Sequence, residues 1–146
     1  MLDYTKEELL SLIENTPEQF NEWKKDKEDV DLSEVDFSNM ILKDVDFSDV
    51  DLNSSSFSDG NLSLVNFSGA DLTAVDFTRA VVTECDFSES ILTGADCSYA
   101  EMTYCNFTDC DMAGTVLSET VLTSSDLSAA ENLNSARYDS DTVWPD

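Results

Sequence analysis

Every fifth residue from Leu32 to Leu127 is apolar, twenty positions without a break. A helix repeats near 3.6 residues and a strand near 2, so a period of five fits neither. A fixed period held over about 100 of the 146 residues signals a repeat architecture. Two residues before all but one of these positions stands a small or β-branched side chain, as at Val30, Val45, Ala70, Cys85 and Ala95. Between the two the commonest residue is Asp or Asn, as at Asp31, Asp51, Asn66 and Asp86. Ser or Thr follows in seventeen of twenty units, so the unit reads small, Asp/Asn, Leu/Phe, Ser/Thr, variable. A spacing of two sends the small and large apolar residues to one side of an extended chain and the acid to the other. The remaining residues then turn a corner, for which Ser, Asp, Asn and Gly are suited.

Sorting the large positions at a spacing of twenty gives four columns of like residues. They are Leu32, Leu52, Leu72, Leu92, Met112; Phe37, Phe57, Phe77, Cys97, Leu117; Leu42, Leu62, Val82, Met102, Leu122; and Phe47, Phe67, Phe87, Phe107, Leu127. This is the pattern of a coil that closes one square turn every twenty residues. Stacked turns then place like above like along each inner wall. The expected core is a dry ladder of Phe and Leu rungs.

These features resemble the pentapeptide-repeat family, whose motif is A(D/N)LXX. Ala70-Asp71-Leu72 carries it in full, and Ala95-Asp96-Cys97 departs only at its last member. The resemblance spans residues 30 to about 130. It implies an all-β solenoid, a right-handed quadrilateral parallel β-helix of about five coils. Val, Ser and Thr in place of the small Ala, together with Cys97 and Met102, imply a fuller core within the same fold.

The flanks read as covers for the solenoid's sticky ends. Residues 1–29 form a short N-terminal helical cap. Thr5-Lys6-Glu7-Glu8 is a capping box ahead of Leu9, Leu10 and Ile13, and Thr16-Pro17 is a second helix start. Phe20 and Trp23 offer an apolar face to the first turn. Residues 30–130 form the β-helix and residues 131–146 a closing segment, with Tyr138 and Trp144 expected to lid the last turn. No apolar run approaches membrane-spanning length, and no basic-then-apolar leader opens the chain, so a cytoplasmic protein is expected. Cys85, Cys97, Cys105 and Cys110 fall on inward positions and read as buried free thiols, although Cys85 and Cys105 stack at disulfide-compatible spacing.

Charge carries the functional reading. The chain holds 32 Asp and Glu against 7 Lys and Arg and no His. Within residues 30–130, nineteen acids face only Lys43 and Arg79, a net of −17. Five turns at about 4.8 Å each make a rod about 24 Å long, or about one net negative charge per 1.4 Å. Duplex DNA carries about one per 1.7 Å. The acids concentrate on an edge formed by Asp46, Asp49, Asp51, Asp71, Asp86, Glu89, Asp109, Asp111 and Asp126. The wall of Leu42, Leu62 and Val82 instead presents Ile41, Val81 and Val121 outward, with Leu64 and Tyr104 nearby.

An enzyme is not expected: there is no His, no phosphate-binding Gly loop, no nucleophile beside a base and no cleft. Asp49-Val50-Asp51-Leu52-Asn53 begins like a calcium loop, but Ser54 and Gly60 stand where its Gly and Glu belong. No catalytic, cofactor or metal residues are assigned. The net charge opposes direct nucleic-acid binding. Family members of the quinolone-resistance type imply a role as DNA mimics that bind gyrase. The expected function is therefore an acidic DNA mimic that binds a basic DNA-binding protein, a topoisomerase or a defence nuclease, and inhibits or protects it. The chain shows no insertions that could form projecting loops and no obvious C-terminal dimerisation helix, which weighs against gyrase in particular and leaves mimicry intact; a monomer is favoured. The alternative is a protein-interaction scaffold using the apolar wall formed by Ile41, Leu64, Val81, Tyr104 and Val121. Its acidity would then serve solubility or halophilic adaptation.

Overall fold

The structure is a computed structural model that describes residues 3–146. Helix α1 (Lys6–Asn15) starts on the Thr5 capping box, and α2 (Pro17–Lys24) follows after a single residue. A right-handed square solenoid of parallel ladders then begins at Asp31, which bridges Asp51 directly below it. All four walls repeat this pairing at a spacing of twenty. Wall 1 carries the Leu32 column, wall 2 the Phe37 column, wall 3 the Leu42 column and wall 4 the Phe47 column. Only wall 3 has regular strands: β1 (Ile41–Lys43), β2 (Asn61–Ser63), β3 (Val81–Thr83) and β4 (Glu101–Thr103), in register as Leu42↔Leu62↔Val82↔Met102. The other walls are built from isolated parallel bridges.

The five-residue unit has a local explanation at each position. The apolar rung donates its N–H to the coil below, as Phe47 does to the Asn66 carbonyl at 2.7 Å. The residue before it donates to the coil above, as Asn66 does to the Val45 carbonyl at 3.0 Å. Two residues after every rung but Leu127 the chain enters the left-handed region, as at Asn39, Asp49, Tyr99 and Gly114. Most corners then close on the rung's own carbonyl, as Met40 N–H does on Phe37, which is the bond of a type II turn. At the corners after Lys43, Ser63, Thr83 and Thr103 that bond is not made and the backbone stays extended across three residues.

The Asp/Asn preference also has a structural cause. The side-chain oxygen of this residue accepts the N–H two positions on, and commonly the hydroxyl there as well. Asp71 takes the Thr73 N–H at 3.0 Å and its hydroxyl at 2.6 Å, and Asn106 does the same with Thr108. This closes a local Asx turn at the start of each corner. Asn does the job as well as Asp, so the preference by itself says nothing about charge.

The core is aromatic at its centre. Phe47, Phe67, Phe87 and Phe107 stack 5.0–5.5 Å apart on wall 4, and Phe37, Phe57 and Phe77 stack 4.7–5.3 Å apart on wall 2. The two columns also meet across the interior, edge to face, as Phe67 and Phe77 do at 5.9 Å. Both geometries suit aromatic quadrupoles. Ser55, Thr115, Thr120 and Ser125 occupy the small position and are buried, and each hydroxyl donates to a carbonyl of the coil above at 2.7–2.8 Å. These polar substitutions therefore extend the ladder rather than merely filling space. The four cysteines are buried and free. Burial pushes the Cys85 and Cys110 thiols up to about 12 and Cys105 to about 11, which makes them inert hydrophobes.

The ends are closed differently. At the N-terminus, Phe20 is buried 5.8 Å from Phe47, with Leu9 and Ile13 beside it. Asn21 substitutes for the missing coil above: its amide donates to the Asp44 carbonyl at 2.7 Å and accepts from the Asp46 N–H at 2.8 Å. The Lys6 ammonium caps the Ser33 carbonyl at 2.7 Å. At the C-terminus, Arg137 and Val143 add partial rungs under Val116 and Val121, after a 3-10 turn at Leu133–Ser135. Tyr138 and Trp144 pack on each other at 5.2 Å, T-shaped, and both stay exposed. Among the described residues of this segment, Leu133 and Ala136 are the hydrophobic side chains packed against the core.

Candidate functional site: the acidic edge and the neighbouring walls

Ladder pairing brings the acidic candidates onto one edge. Wall 4 stacks Asp46, Asn66, Asp86, Asn106 and Asp126; wall 1 stacks Asp31, Asp51, Asp71, Ile91 and Asp111. Between them the left-handed corner column carries Asp29, Asp49, Gly69, Glu89 and Asp109. A Cβ at Gly69 would collide with the Asp49 carboxylate, so that side chain leans along the corner toward the coil below.

The nine candidate acids divide into two sets. Asp46, Asp51, Asp71, Asp86, Asp111 and Asp126 each have one carboxylate oxygen engaged by the N–H two residues on. At Asp126 the Ser128 hydroxyl and N–H hold the carboxyl below the usual aspartate value. At Asp46 burial works against the charge, but the Ser48 bonds and Lys24 outweigh it and its pKa is also lowered. Asp49, Glu89 and Asp109 are exposed, and among the described residues none of their carboxylates accepts a hydrogen bond. These three are the acids whose charge the fold does not use.

Two features were missed by sequence reasoning. The cap places lysines at the head of the edge. Lys24 lies 3.5 Å from Asp46 and 2.9 Å from the Ser48 hydroxyl, and Lys6 lies 3.6 Å from Asp31. A shallow hollow of about 380 Å³ lined by Lys24, Lys25, Lys27, Asp29 and Asp49 leads into one of about 270 Å³ lined by Asp29, Asp31, Asp49, Asp51 and Asp71. The acids at the head of the edge are thus partly ion-paired by the cap, and those beyond it are not; the run Lys24-Lys25-Asp26-Lys27 just ahead of the ladder was the available signal. The second feature is Ile91, 42% exposed, which interrupts wall 1 between Asp71 and Asp111. Its place in the Asp31 column could have been read from the twenty-residue register.

The apolar wall is less continuous than the sequence reading supposed. Ile41 is 81% exposed, Tyr104 67% and Leu64 46%, but Val81 and Val121 are half-buried. Asn61 and Glu101 alternate with Ile41, Val81 and Val121 in the same column, because twenty-residue stacking does not group them. Positive charge near this wall comes from Lys43, exposed at the end of β1, and from Arg79 at the corner between walls 2 and 3, which forks onto Asp59 at 2.9 and 3.1 Å.

A convex square solenoid of this kind defines a repeat protein whose working part is its outer surface. The chain belongs to the pentapeptide-repeat family: a model described as pentapeptide repeat region matches residues 28–96, and one for eight pentapeptide repeats matches residues 100–131. It is similar to a pentapeptide repeat protein from the thylakoid lumen of Arabidopsis thaliana, with 34% identity over 68% of this chain and 63% of that one, at a TM-score of 0.49. QnrB1, a plasmid-mediated fluoroquinolone resistance protein, shares 16% identity over 77% of this chain and 59% of its own, at a TM-score of 0.53. The pentapeptide repeat protein Rfr23 from the cyanobacterium Cyanothece 51142 shares 20% identity over 87% and 99%, at 0.46. The chain therefore spans less than two thirds of the first two relatives. No curated protein sequence matches it. No helix among the described residues is long and apolar enough to cross a membrane.

Proposed function

We propose that this protein is a non-enzymatic DNA mimic that binds a basic DNA-binding protein, a topoisomerase or a defence nuclease of the cytoplasm, through its acidic edge. The observation that carries the reading is a net −17 on residues 30–130, about one charge per 1.4 Å of rod against about one per 1.7 Å for duplex DNA. The ladder supports it by fixing the charges before binding, so little conformational entropy is lost on association. QnrB1, named for fluoroquinolone resistance, makes a topoisomerase the first partner to try.

The corner acids permit a test that leaves every Asx turn intact, with thermal melts of each variant checking the fold. Asp49→Lys, Glu89→Lys and Asp109→Lys together break no Asx turn. A matched control, Glu34→Lys, Asp44→Lys and Asp141→Lys, makes the same charge change elsewhere. Candidate DNA-binding proteins are presented with a labelled DNA duplex and each variant. Wild type and control should displace the duplex and the corner variant should fail. Equal displacement by both variants would remove the edge from the mechanism.

The exposure of Ile41, Leu64 and Tyr104 favours a second reading, a scaffold contact on wall 3. It requires Ile41→Ser with Tyr104→Ser to outweigh the corner reversals and DNA not to compete.

A further inference from the structure

Wall 3 carries a second feature that the acidic-edge reading does not use. Two tyrosines stand at the two corners of a single coil. Tyr99 occupies the corner entering wall 3 and Tyr104 the corner leaving it, and β4 with Glu101 facing out runs between them. Both rings are in solvent, Tyr99 at 59% and Tyr104 at 67% exposed. Both backbones are left-handed, at φ +62° and +57°. Equivalent corners elsewhere carry Asp, Asn, Ser, Gly, Ala, Glu, Arg and Leu, so among the described residues these two are the only aromatic ones. The rings gain no core burial, so their faces are open to a partner.

The surroundings say which ligand chemistry fits. Twenty-residue stacking places Glu84 above Tyr104 and Glu119 below Tyr99, so the two rings and Glu101 lie between two further carboxylates. The Glu119 carboxylate is near enough to raise the Tyr99 phenol's pKa. Arg79, above Tyr99, is already forked onto Asp59 and leaves this field negative. Tyrosine faces attract cations, and among side chains the planar guanidinium stacks best while forking onto carboxylates. We propose that Tyr99, Glu101 and Tyr104, flanked by Glu84 and Glu119, form a seat for arginine side chains of a basic protein segment. The seat is on a different wall from the acidic edge and holds whether or not that edge binds a DNA-binding protein.

The test compares two labelled peptides, Gly-Arg-Arg-Gly-Arg-Arg-Gly and its all-lysine counterpart, by fluorescence anisotropy at near-physiological salt. Both carry the same charge, so general attraction to the acidic rod is common to them. Stacking should give the arginine peptide a preference of about threefold. Amide chemical-shift changes caused by that peptide alone should centre on 99–104 and 119. Tyr99→Leu with Tyr104→Leu should abolish the preference and leave lysine-peptide binding unchanged, while Tyr99→Phe with Tyr104→Phe should keep it. Reversing Asp49, Glu89 and Asp109 should weaken both peptides alike and leave the ratio intact. Equal affinity for the two peptides, a preference that survives in the leucine variant, or shifts centred on the acidic edge would each overturn the proposal.

Discussion

At the residue scale, one position of the repeat serves two purposes that look identical in a sequence. The Asp or Asn before each rung closes an Asx turn, and the same Asp adds charge to the outside. Asp71 separates the two. Asp71→Asn keeps an acceptor for the Thr73 N–H and hydroxyl, so folding should be unharmed and, at low salt, slightly favoured by the lost repulsion. Asp71→Ala leaves both donors without that acceptor and should cost about 1 kcal/mol. Urea unfolding of the two variants checks this; equal losses would mean that the carboxylate's charge and not its acceptor matters. Asp49, Glu89 and Asp109 lack this structural duty, which is why they, and not the nine acids together, are the decisive positions for the DNA-mimic proposal. A sequence showed where the acids lie but not which were engaged, because an Asx bond depends on the turn that follows and not on the residue type.

At the scale of elements, the solenoid's hardest task is ending. An open coil leaves rows of unpaired N–H and C=O groups. The cap meets this with side chains in place of a strand: the Asn21 amide satisfies one donor and one acceptor of the first coil at once. Asn21→Ala should cost about 1–3 kcal/mol, because it orphans partly buried backbone groups. Asn21→Asp should not rescue it, since the added oxygen faces the Asp44 carbonyl. Denaturant midpoints decide; an Asp variant as stable as wild type would mean that the Asp44 contact contributes nothing. The columns, the helical cap and the Phe stack were legible from period and capping box. Asn21 was not, because one amide among polar residues carries no periodic signal. The regular strands of wall 3 were also not, since all four walls share one five-residue pattern and differ only in corner geometry. Ile91 and the Arg79–Asp59 pair lay in plain view at a spacing of twenty, but they count only once the register is trusted for the outward positions as it is for the core.

At the scale of the whole molecule, net charge of −25 sets stability against solvent conditions. Like charges on a compact rod repel, and salt screens them over about 8 Å at physiological ionic strength and about 3 Å at 1 M. Tm should therefore climb steeply with the first few hundred millimolar salt and then level off. Acid acts in two opposite ways. Modest acidification from neutrality reduces net charge and should raise Tm. Asp31, Asp36 and Asp126 have lowered pKa values because Ser33, Ser38 and Ser128 hydrogen-bond to their charged forms. A lowered folded pKa contributes stability that is present above the unfolded value and is lost as pH falls through the folded one. Tm should thus pass through a maximum on the acid side of neutral and fall once these turns protonate, below about pH 4. Calorimetry across pH and salt checks both slopes. Tm still climbing in molar salt, with unfolding at low salt, would assign the acidity to halophilic adaptation. A plateau by a few hundred millimolar leaves the charge available for a partner, and no response to salt at all would remove self-repulsion from the account.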